Sequence, residues 1–591
     1  MATFGMRFKH LVWRLGCLLC FLAANMVSSA TAGVANLRHG PLVHARQAHG
    51  SNGTGRGDYK ANRLDRELGA VLLPTSQAKT ASARPQPMPQ RSFHLNQLQV
   101  IQHHPGHGSA RRMSAQTCGT AAIQVQIHDG FACARLADGS VQCWGDNYRG
   151  RLGAVAVGDG DILGDDETVD SGGRVPLVGP GGTTALYVGV GESHACALLS
   201  TGRVQCWGDA RRGRLGYGLG DSRHLGLAGR PADTDGAVPL VGGQLVMRLA
   251  VGKFHSCAVF LDGTANCWGD HSDGRLGNPA LTAFVGDDEP ASAAGLLATV
   301  NNSAIVDIGA TRFSSCVILA PYGSVQCWGS GGDGRLGYGN TDTIGDDELA
   351  NAGGVVPIVG SLPAVAIATG EYVTCALLSS GGVQCWGNRF AHGNPLKTDN
   401  IGDDEPVDGF GLIPLLSGQD AVHISAGRHH VCAVLSSGQL QCWGEGEGGR
   451  LGYGSTNRVG RSPDLATSGG AVSLWGGAAA VYVSAGVNNT CAVLDTGVIH
   501  CWGGNALGQL GVNDNGAIPM LGDDELPSTA GPVSIVALPG ASCTPTPSPS
   551  GTGTPSPTSS PTGTPTRTPT GTPTASPTRT PTGTPTASPT R

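Results

Sequence analysis

Long apolar runs, aromatic residues and charged residues are all scarce in this sequence, and each scarcity excludes a class of structure. Of 591 residues, 5% are aromatic and 14% are charged. Beyond the N-terminal segment the apolar stretches are short, as in VPLV at 175–178 and ALYV at 185–188. None has the period of an amphipathic helix, and none is long enough to cross a membrane. The sequence therefore predicts neither a helical domain nor a membrane-spanning one.

Motifs for catalysis and metal binding are also missing. The sequence contains no Gly-x-Ser-x-Gly and no His-Glu-x-x-His, so neither a serine hydrolase nor a zinc protease is indicated. No Cys-x-x-Cys pair follows the N-terminal segment, which argues against a zinc site. We therefore predict no enzyme activity, no catalytic residues, no metal centre and no cofactor.

Glycine and cysteine are abundant instead, with 94 and 18 residues, and they recur in one repeated phrase. The phrase CALLSTGRVQCWG, which begins at Cys196, has seven versions that begin 57 to 63 residues apart. Six versions continue into Gly-Arg-Leu-Gly or Gly-Gln-Leu-Gly, and five carry Gly-Asp-Asp-Glu further on. Repeats of this length are typical of units that must stack on each other to bury a core.

Each repeat contains four short apolar segments that predict strands. In the second repeat these are ALYVGV, HACALL, RVQCWG and, after the loop that follows Trp-Gly, VPLVG. Seven four-stranded units favour a closed ring, because a ring protects the edges of its sheets. We therefore predict an all-β fold, a seven-bladed β-propeller of four-stranded antiparallel blades over residues 118–543.

The cysteines pair without remainder. The two cysteines of each phrase flank a turn, which places them on facing positions of adjacent strands, within reach of a disulfide; small buried thiols are the alternative. Beyond Cys17 and Cys20, sixteen cysteines remain. The predicted bridges are Cys133–Cys143, Cys196–Cys206, Cys257–Cys267, Cys316–Cys327, Cys375–Cys385, Cys432–Cys442, Cys491–Cys501 and Cys118–Cys543. The last pair lies where a loop joins neighbouring blades elsewhere, so it would lock the ring.

Three further segments flank the repeats. Residues 1–32 have a basic start, an apolar run and a small-residue cleavage site at Ala30-Thr31-Ala32, the layout of a secretory signal; a retained anchor is the alternative. Residues 33–117 predict a basic, disordered leader, and residues 544–591 a disordered Thr/Pro-rich tail. We therefore predict a secreted, extracellular protein.

The order of motifs resembles a known repeat. Cys-Trp-Gly followed by Gly-Arg-Leu-Gly, after a Gly-x-x-His-x-Cys-Ala-Leu strand, is similar to the regulator of chromosome condensation repeat family. The resemblance covers residues 118–543 and implies a seven-bladed β-propeller. Members include the nuclear exchange factor for the Ran GTPase, a plant ultraviolet-light receptor, ubiquitin-ligase modules and a secreted bacterial β-lactamase inhibitor, so the fold does not select a function. Blade 5 lacks Gly-x-Leu-Gly, and blades 2 and 6 lack Gly-Asp-Asp-Glu.

We interpret the chain as a secreted protein-binding module without catalytic activity. The alternatives are a regulator that exchanges guanine nucleotide on a small GTPase, and an extracellular hydrolase or lyase. Residues 118–543 carry a net charge of −20, because the three flanking segments hold +14 against −6 for the whole chain. This charge disfavours nucleic acid as a ligand of the ring and favours a basic protein partner. We expect a monomer with no membrane contact.

Positions where the repeats differ are the candidates for binding, since aromatic and arginine side chains anchor most protein interfaces. The candidates are Tyr148, Arg211, Arg212, Phe254, His271, Phe313, Tyr372, Arg389, Phe390 and His429. The tryptophan of each phrase is expected to pack between blades. His194, His255 and His430 are expected to make turn hydrogen bonds, and the Gly-Asp-Asp-Glu loops to cap backbone amides rather than bind calcium.

Overall fold

A computed structural model describes residues 121–281, 284–461, 466–514, 517–533 and 535. Over these residues, 23 strands form seven antiparallel sheets, and each sheet comes from one continuous stretch of chain. The all-β fold with seven blades is thus confirmed. None of the helices in this part of the chain is long and apolar enough to cross a membrane. The predicted signal, leader, tail and Cys118–Cys543 bridge lie outside the described residues.

The strands follow one pattern in every blade, and blades 1 to 7 are numbered in chain order. Blade 1 holds β1 (Ala122–Ile127), β2 (Phe131–Leu136), β3 (Val141–Asp146) and β4 (Ile162–Leu163); blade 2 holds β5 (Ala185–Val190), β6 (His194–Leu199) and β7 (Val204–Gly208); blade 3 holds β8 (Val246–Val251), β9 (His255–Phe260) and β10 (Ala265–Gly269); blade 4 holds β11 (Ile305–Ala310), β12 (Ser314–Leu319) and β13 (Ser324–Gly329). Blade 5 holds β14 (Ala364–Thr369), β15 (Val373–Leu378) and β16 (Val383–Gly387); blade 6 holds β17 (Ala421–Ala426), β18 (His430–Leu435) and β19 (Leu440–Gly444); blade 7 holds β20 (Ala480–Ala485), β21 (Asn489–Leu494), β22 (Ile499–Gly504) and β23 (Met520–Leu521).

Short 3₁₀ helices connect these strands. Five follow Trp-Gly, at Tyr148–Gly150, Arg211–Gly213, Ser272–Gly274, Gly332–Gly334 and Glu447–Gly449. The others in the described ranges are Val169–Gly172, Val241–Gly243, Ala291–Ala294, Val300–Asn302, Val359–Ser361, Val407–Gly409, Leu416–Gly418, Trp475–Gly477 and Pro527–Thr529. Each is a single turn, because 3₁₀ geometry is stable only over a few residues.

The repeated cysteines face each other across the hairpin of each blade. In blade 2, Cys196 pairs with Cys206 in the register of β6 and β7. The structure joins all seven repeat pairs by disulfides, with Cα atoms 4.0 to 4.1 Å apart. The turn of this hairpin places Gly202 at a φ of 75°, which favours glycine there. Each hairpin is therefore stapled within its own blade.

The prediction for the fourth strand was wrong in position. The fourth strand lies before the acidic motif, where Leu163 of β4 pairs with Gly145. In blades 2 to 6 it is reduced to a single bridge at the same place, as between Gly208 and Leu225. The VPLV segment is not a strand: it makes one backbone hydrogen bond to the start of the third strand, as from Val238 N to Val204 O at 2.8 Å.

The ring closes without exchanging a strand between its ends. At every junction the first residue of the first strand donates to a glycine carbonyl in the hairpin turn of the preceding blade. Ala480 N donates to Gly438 O at 2.9 Å, and Ala122 N donates to Gly497 O at 2.8 Å. Blade 1 therefore contacts blade 7 through the same hydrogen bond that joins the other neighbours.

The tryptophan of each repeat lies in the core, as predicted. All seven indoles have no exposed surface: Trp144, Trp207, Trp268, Trp328, Trp386, Trp443 and Trp502. The indole Nε1 of Trp386 donates to Arg335 O of the preceding blade at 3.0 Å. The last glycine of Gly-Arg-Leu-Gly makes room for the ring, because a Cβ at Gly337 would lie 2.8 Å from Nε1 of Trp386. This explains why Trp and Gly-x-Leu-Gly recur together.

The acidic motif and Gly-x-Leu-Gly also meet between neighbouring blades. A Cβ at Gly286, the glycine of Gly-Asp-Asp-Glu in blade 3, would lie 2.4 Å from Gly213 O of blade 2. Where blade 2 lacks the acidic residues it keeps the glycine, since a Cβ at Gly226 would lie 2.2 Å from Gly150 O. The glycine therefore serves the junction between blades, whereas the three acidic residues are not required for it.

Candidate functional site

All ten predicted binding residues lie in loops on one face of the ring. We call this the loop face; it carries the loops between first and second strands and the loops after Trp-Gly. The opposite face carries the hairpin turns between second and third strands, and we call it the hairpin face. Alternating strand direction causes this division, because first and third strands of a blade end on the same side.

Four of the ten candidates form an aromatic arc over blades 3 to 6, consisting of Phe254, Phe313, Tyr372 and His429. The rings of Phe313 and Tyr372 lie 5.7 Å apart, and those of Tyr372 and His429 stack at 4.8 Å. Each ring comes from the same loop position in its blade, just before the second strand. The repeat therefore positions three of these rings in a row, and Phe254 adjoins the row through the guanidinium of Arg312.

Guanidinium groups lie between the rings of the aromatic arc. Arg312 is 4.7 Å from the ring of Phe313 and 6.0 Å from that of Phe254. Arg335 is 4.7 Å from Phe313 and 5.3 Å from Tyr372. Cation–π contacts of this kind orient both partners, so the arc is held in place before any ligand binds.

A cluster of charged side chains lies at the centre of the loop face, over the mouth of the central channel. The carboxylate of Glu371 in blade 5 is 5% exposed and lies 3.6 Å from Lys253 Nζ of blade 3. Arg312 of blade 4 and Arg428 of blade 6 approach it to 3.9 and 3.5 Å. Lys253 also contacts Glu192 of blade 2 at 3.0 Å. We call this cluster the channel plug. Opposite charges at one loop position were visible in the sequence, but their convergence was not.

Blades 1 to 3 carry exposed candidates whose charges are partly paired. Arg211 and Arg212 are 44% and 47% exposed, yet they contact the fully buried carboxylates of Asp209 and Asp270 at 2.8 and 2.7 Å. Burial alone would raise the pKa of Asp209, but the hydrogen bond from Arg211 and the nearby charge of Arg214 lower it to about 2. Tyr148, the candidate in blade 1, is 40% exposed.

The remaining candidates lie in blades 3 and 5. His271 is half-buried, and burial lowers its pKa. The ring of Phe390 is surrounded by guanidinium groups: Arg389 at 4.9 Å, Arg458 at 4.9 Å and Arg461 at 5.4 Å. Phe390 and Arg389 therefore form a second aromatic and cationic group, beside the arc.

The three predicted turn histidines have a different role. His255 is fully buried, and its Nε2 lies 2.7 Å from Ser315 Oγ of the next blade. His194 and His430 make the same contact with Ser256 and Thr490. Burial lowers the pKa of His255 to about 3. The expectation of turn hydrogen bonds was wrong, because these residues lie on a strand and point into a junction between blades.

The acidic motifs are the groups in the described ranges that could hold a hard cation. Five triads bring three carboxylate oxygens within 4.8 Å of one another, at Asp165–Glu167, Asp287–Glu289, Asp346–Glu348, Asp403–Glu405 and Asp523–Glu525. Burial, together with the hydrogen bond and charge of the preceding aspartate, raises the pKa of Glu167 and Glu289 to about 7.

Comparison with known proteins agrees with this geometry. The model of the regulator of chromosome condensation (RCC1) repeat matches residues 129–151, 187–214, 248–275, 421–450 and 480–509. The human E3 ubiquitin-protein ligase HERC2 is 26% identical over an alignment of 385 residues that covers 56% of this chain and 7% of HERC2. The Arabidopsis thaliana ultraviolet-B receptor UVR8 is 26% identical over 334 residues, 56% of this chain and 67% of the receptor.

A solved structure shares the fold. The match lies in the crystal structure of Kap60 bound to yeast RCC1 (Prp20), with 17% identity and a TM-score of 0.50, over 77% of this chain and 91% of that chain. The matched repeats fall in blades 1, 2, 3, 6 and 7, and blades 4 and 5 have the same strands and staples. The chain thus carries RCC1 repeats in these five blades and forms a seven-bladed propeller.

Proposed function

We propose that the chain is a secreted protein-binding propeller with no catalytic activity of its own, and that it binds its partner through the loop face. The single observation that carries the proposal is the aromatic arc with its interleaved guanidinium groups. Half-buried aromatic and arginine side chains are the residues that dominate binding energy at protein interfaces. The relatives named above include one that was crystallised bound to a protein, Kap60.

The rigidity of the loop face supports binding rather than turnover. Its side chains are already fixed by ring stacking, cation–π contacts and the channel plug. A preformed surface loses little side-chain entropy on association, which favours affinity. Moreover, the buried side chains of His194, His255 and His430 contact hydroxyl groups at junctions between blades, where they are not available to a substrate.

The disulfides support secretion. Seven bridges in one ring are typical of proteins that mature in an oxidising compartment. The test is the N-terminal sequence of the protein recovered from the medium of its native host. A start at Gly33 supports removal of residues 1–32, and recovery only in the membrane fraction contradicts it.

The charge of the partner is a separate part of the proposal. The net charge of the ring attracts a basic protein over long range, but the acidic triads and the aromatic arc are in different loops. Arg212, Arg312 and Arg428 lie around the arc. We therefore propose a partner that is basic overall and places an apolar or carboxylate side chain on the arc.

The experiment compares two faces of the same molecule. Cross-linking to extracellular proteins is measured for the full chain and for Phe313→Ala/Tyr372→Ala, two rings of the aromatic arc, with Tyr322→Ala as the control. Tyr322 is 79% exposed at a hairpin turn, on the face opposite to the arc. We expect the loop-face variant to lose one specific protein and the control to keep it.

Two results would overturn the proposal. If the loop-face variant keeps every cross-linked protein and the control loses one, then the hairpin face is the binding surface. If the chain accelerates nucleotide release from a small GTPase, or turns over an extracellular substrate, then the regulator or the enzyme is the correct assignment.

A further inference from the structure

A central channel of about 1240 Å³ passes through the ring and is lined by the first strands of the blades. At the loop face the channel plug lies over its mouth, with Lys253 in contact with both Glu192 and Glu371. The mouth at the hairpin face is bordered by the starts of the first strands. A small ligand would therefore enter from the hairpin face, away from the aromatic arc.

The fifth residue of the first strands packs closely against the next blade, since a Cβ at Gly189 would lie 2.7 Å from Cγ2 of Val251. Six of the seven blades have glycine, alanine or serine there: Gly189, Ala250, Gly309, Ala368, Ser425 and Ser484. Gln126 is the exception, and its Nε2 donates to the hydroxyl of Tyr482 at 2.6 Å. The hydroxyls of Ser484 and Ser425 accept from the backbone of neighbouring blades at 3.1 and 2.9 Å, and each keeps its proton to donate.

A belt of polar side chains surrounds the channel at the third residue of the first strands. The polar belt consists of Gln124, Tyr187, Arg248, Asp307, His423 and Tyr482, and blade 5 has Ala366 there. Arg248 Nε lies 4.0 Å from Asp307 Oδ1, and the rings of His423 and Tyr482 are 4.2 Å apart. The next residue along each strand is Val, Leu or Ile in all seven blades. The fourth residue is therefore similar in every blade, as expected for packing. The polar belt differs from blade to blade, as expected for a binding surface.

An aliphatic collar surrounds the entrance. The second residue of the first strands is aliphatic in every blade, and Ile123, Leu186, Met247, Val422 and Val481 line the channel. The same position holds Val306 and Val365 in blades 4 and 5. Val306 and Val422 are 41% and 36% exposed. The five of these residues that line the channel provide an apolar edge next to the polar belt.

We infer that this channel binds a neutral mono- or disaccharide. Sugar rings combine apolar C–H faces with many hydroxyl groups, and the collar and the belt offer a surface for each. Apart from the channel plug, the lining holds two arginines and two aspartates, Arg135, Arg248, Asp307 and Asp495, so a charged ligand gains no net attraction. Burial raises the pKa of both Tyr187 and Tyr482, which keeps their hydroxyls protonated as donors.

The test uses the full chain and saturation-transfer NMR with glucose, galactose, mannose, N-acetylglucosamine, maltose and lactose. Two variants probe the belt. Asp307→Asn keeps an oxygen that can accept the hydrogen bond from Ile367 N, seen at 3.3 Å, but removes the charge. Ala366→Tyr fills the belt in blade 5 with a residue that blades 2 and 7 already have at this position.

We expect at least one of these sugars to bind, Asp307→Asn to weaken it by about tenfold, and Ala366→Tyr to abolish it. Tyr322→Ala, on the same face outside the channel, should leave binding unchanged. Equal melting temperatures show that the variants fold. Binding of none of the six sugars, binding that survives Ala366→Tyr, or a preference for a uronic acid over all six overturns the inference. Failure here leaves the loop-face proposal intact, since that surface is tested with other variants.

Discussion

The contact between blades 5 and 6 differs from the other six contacts in the ring. At the contact between blades 4 and 5, the indole of Trp386 donates to Arg335 O at 3.0 Å. The indole Nε1 of Trp443, at the contact between blades 5 and 6, is buried with no hydrogen-bond partner among the described residues. The cause is local: blade 5 has a shorter loop after Trp386 and lacks Gly-x-Leu-Gly, so the arginine carbonyl is absent.

The same contact lacks a second hydrogen bond. Thr374 Oγ1 of blade 5 also donates to Arg335 O, at 3.0 Å, and the equivalent residue of blade 6 is Val431. In place of these bonds, Arg458 and Arg461 of blade 6 pack on Phe390 of blade 5. A repeat protein thus tolerates a defective unit when a cation–π group replaces buried hydrogen bonds. The unsatisfied buried donor costs about 1–3 kcal/mol at this contact.

The largest expected effect comes from the ends of the ring. If Cys118 and Cys543 are bonded, then the contact between blades 7 and 1 is closed covalently and the contact between blades 5 and 6 is the one that opens first. Changing Cys118→Ser together with Cys543→Ser should then cost about 6 kcal/mol on the chain-entropy model, because the closed loop is very long. The unfolding free energy in urea measures this.

The matched control for the ends of the ring is a repeat bridge. Changing Cys196→Ser together with Cys206→Ser removes a bridge that closes only a short loop, so the unfolding free energy should fall by about 3 kcal/mol. Equal losses in the two double variants would show that the termini are not joined in this way. The contact between blades 7 and 1 would then have to be compared with the contact between blades 5 and 6 as another contact without a covalent bond.

Lowering the pH should weaken the contact between blades 3 and 4 but not the contact between blades 5 and 6. The folded pKa of His255 is about 3, and the unfolded value is near 6.5. Between these pH values the unfolded chain binds more protons than the folded chain. The contribution of the neutral imidazole to the unfolding free energy is therefore complete above pH 6.5 and is lost as the pH falls. One such histidine should cost about 2 kcal/mol between pH 7 and pH 5.

The variant for this prediction is His255→Asn, since blade 7 has Asn489 at the equivalent position. The difference in unfolding free energy between wild type and variant should shrink as the pH falls from 7 to 5. Val373 occupies this position in blade 5, so Val373→Ala is a control with no pH-dependent difference. A constant difference for His255→Asn would contradict the burial of a neutral imidazole.

Replacing tryptophan tests the comparison directly. Trp386→Phe removes a donor that is bonded and leaves the Arg335 carbonyl without it, whereas Trp443→Phe removes a donor that has no partner in the part of the chain that the structure describes. Both lose similar volume, so Trp386→Phe should be more destabilising by about 1–2 kcal/mol. Urea unfolding of the two variants measures the difference, and equal values would show that Trp443 has an acceptor in solution.

The smallest effect is expected from Phe390, whose contacts with Arg458 and Arg461 replace the missing hydrogen bonds between blades 5 and 6. Phe390→Leu removes the ring from Arg458 and Arg461 and should cost about 1 kcal/mol. Tyr148→Leu, which removes an exposed ring 4.9 Å from the guanidinium of Arg149, is the control and should cost less. A larger loss from Tyr148→Leu would mean that Phe390 does not hold blades 5 and 6 together.

Most of the fold could be predicted from the sequence because the segment that forms each strand occurs in seven similar copies. The segments ALYVGV and HACALL correspond to β5 and β6 residue for residue. The fourth strand was misplaced because it makes only one or two pairs, too few for a pattern in a single repeat. A signal was present nonetheless: an aliphatic residue precedes the glycine of the acidic loop in every blade, from Leu163 to Leu521.

The site was harder to predict, since it depends on distances between blades. The position before the second strand identified Phe254, Phe313, Tyr372 and His429 as variable, but only the ring geometry shows that the last three form a row. The polar belt escaped notice because its six side chains are spread over the repeats. Likewise, the meeting of Lys253 and Glu371 spans two blades and has no local signature.

Because every blade comes from one continuous segment and the ends meet through the same Ala122–Gly497 bond as other neighbours, the ring does not encode where the chain begins. A circularly permuted gene that opens between blades 5 and 6 should therefore yield the same propeller. Each unit also carries its own covalent staple, so duplication or loss of one repeat adds or removes a module that is already stabilised. Such a ring can change its blade number in evolution without redesigning its core.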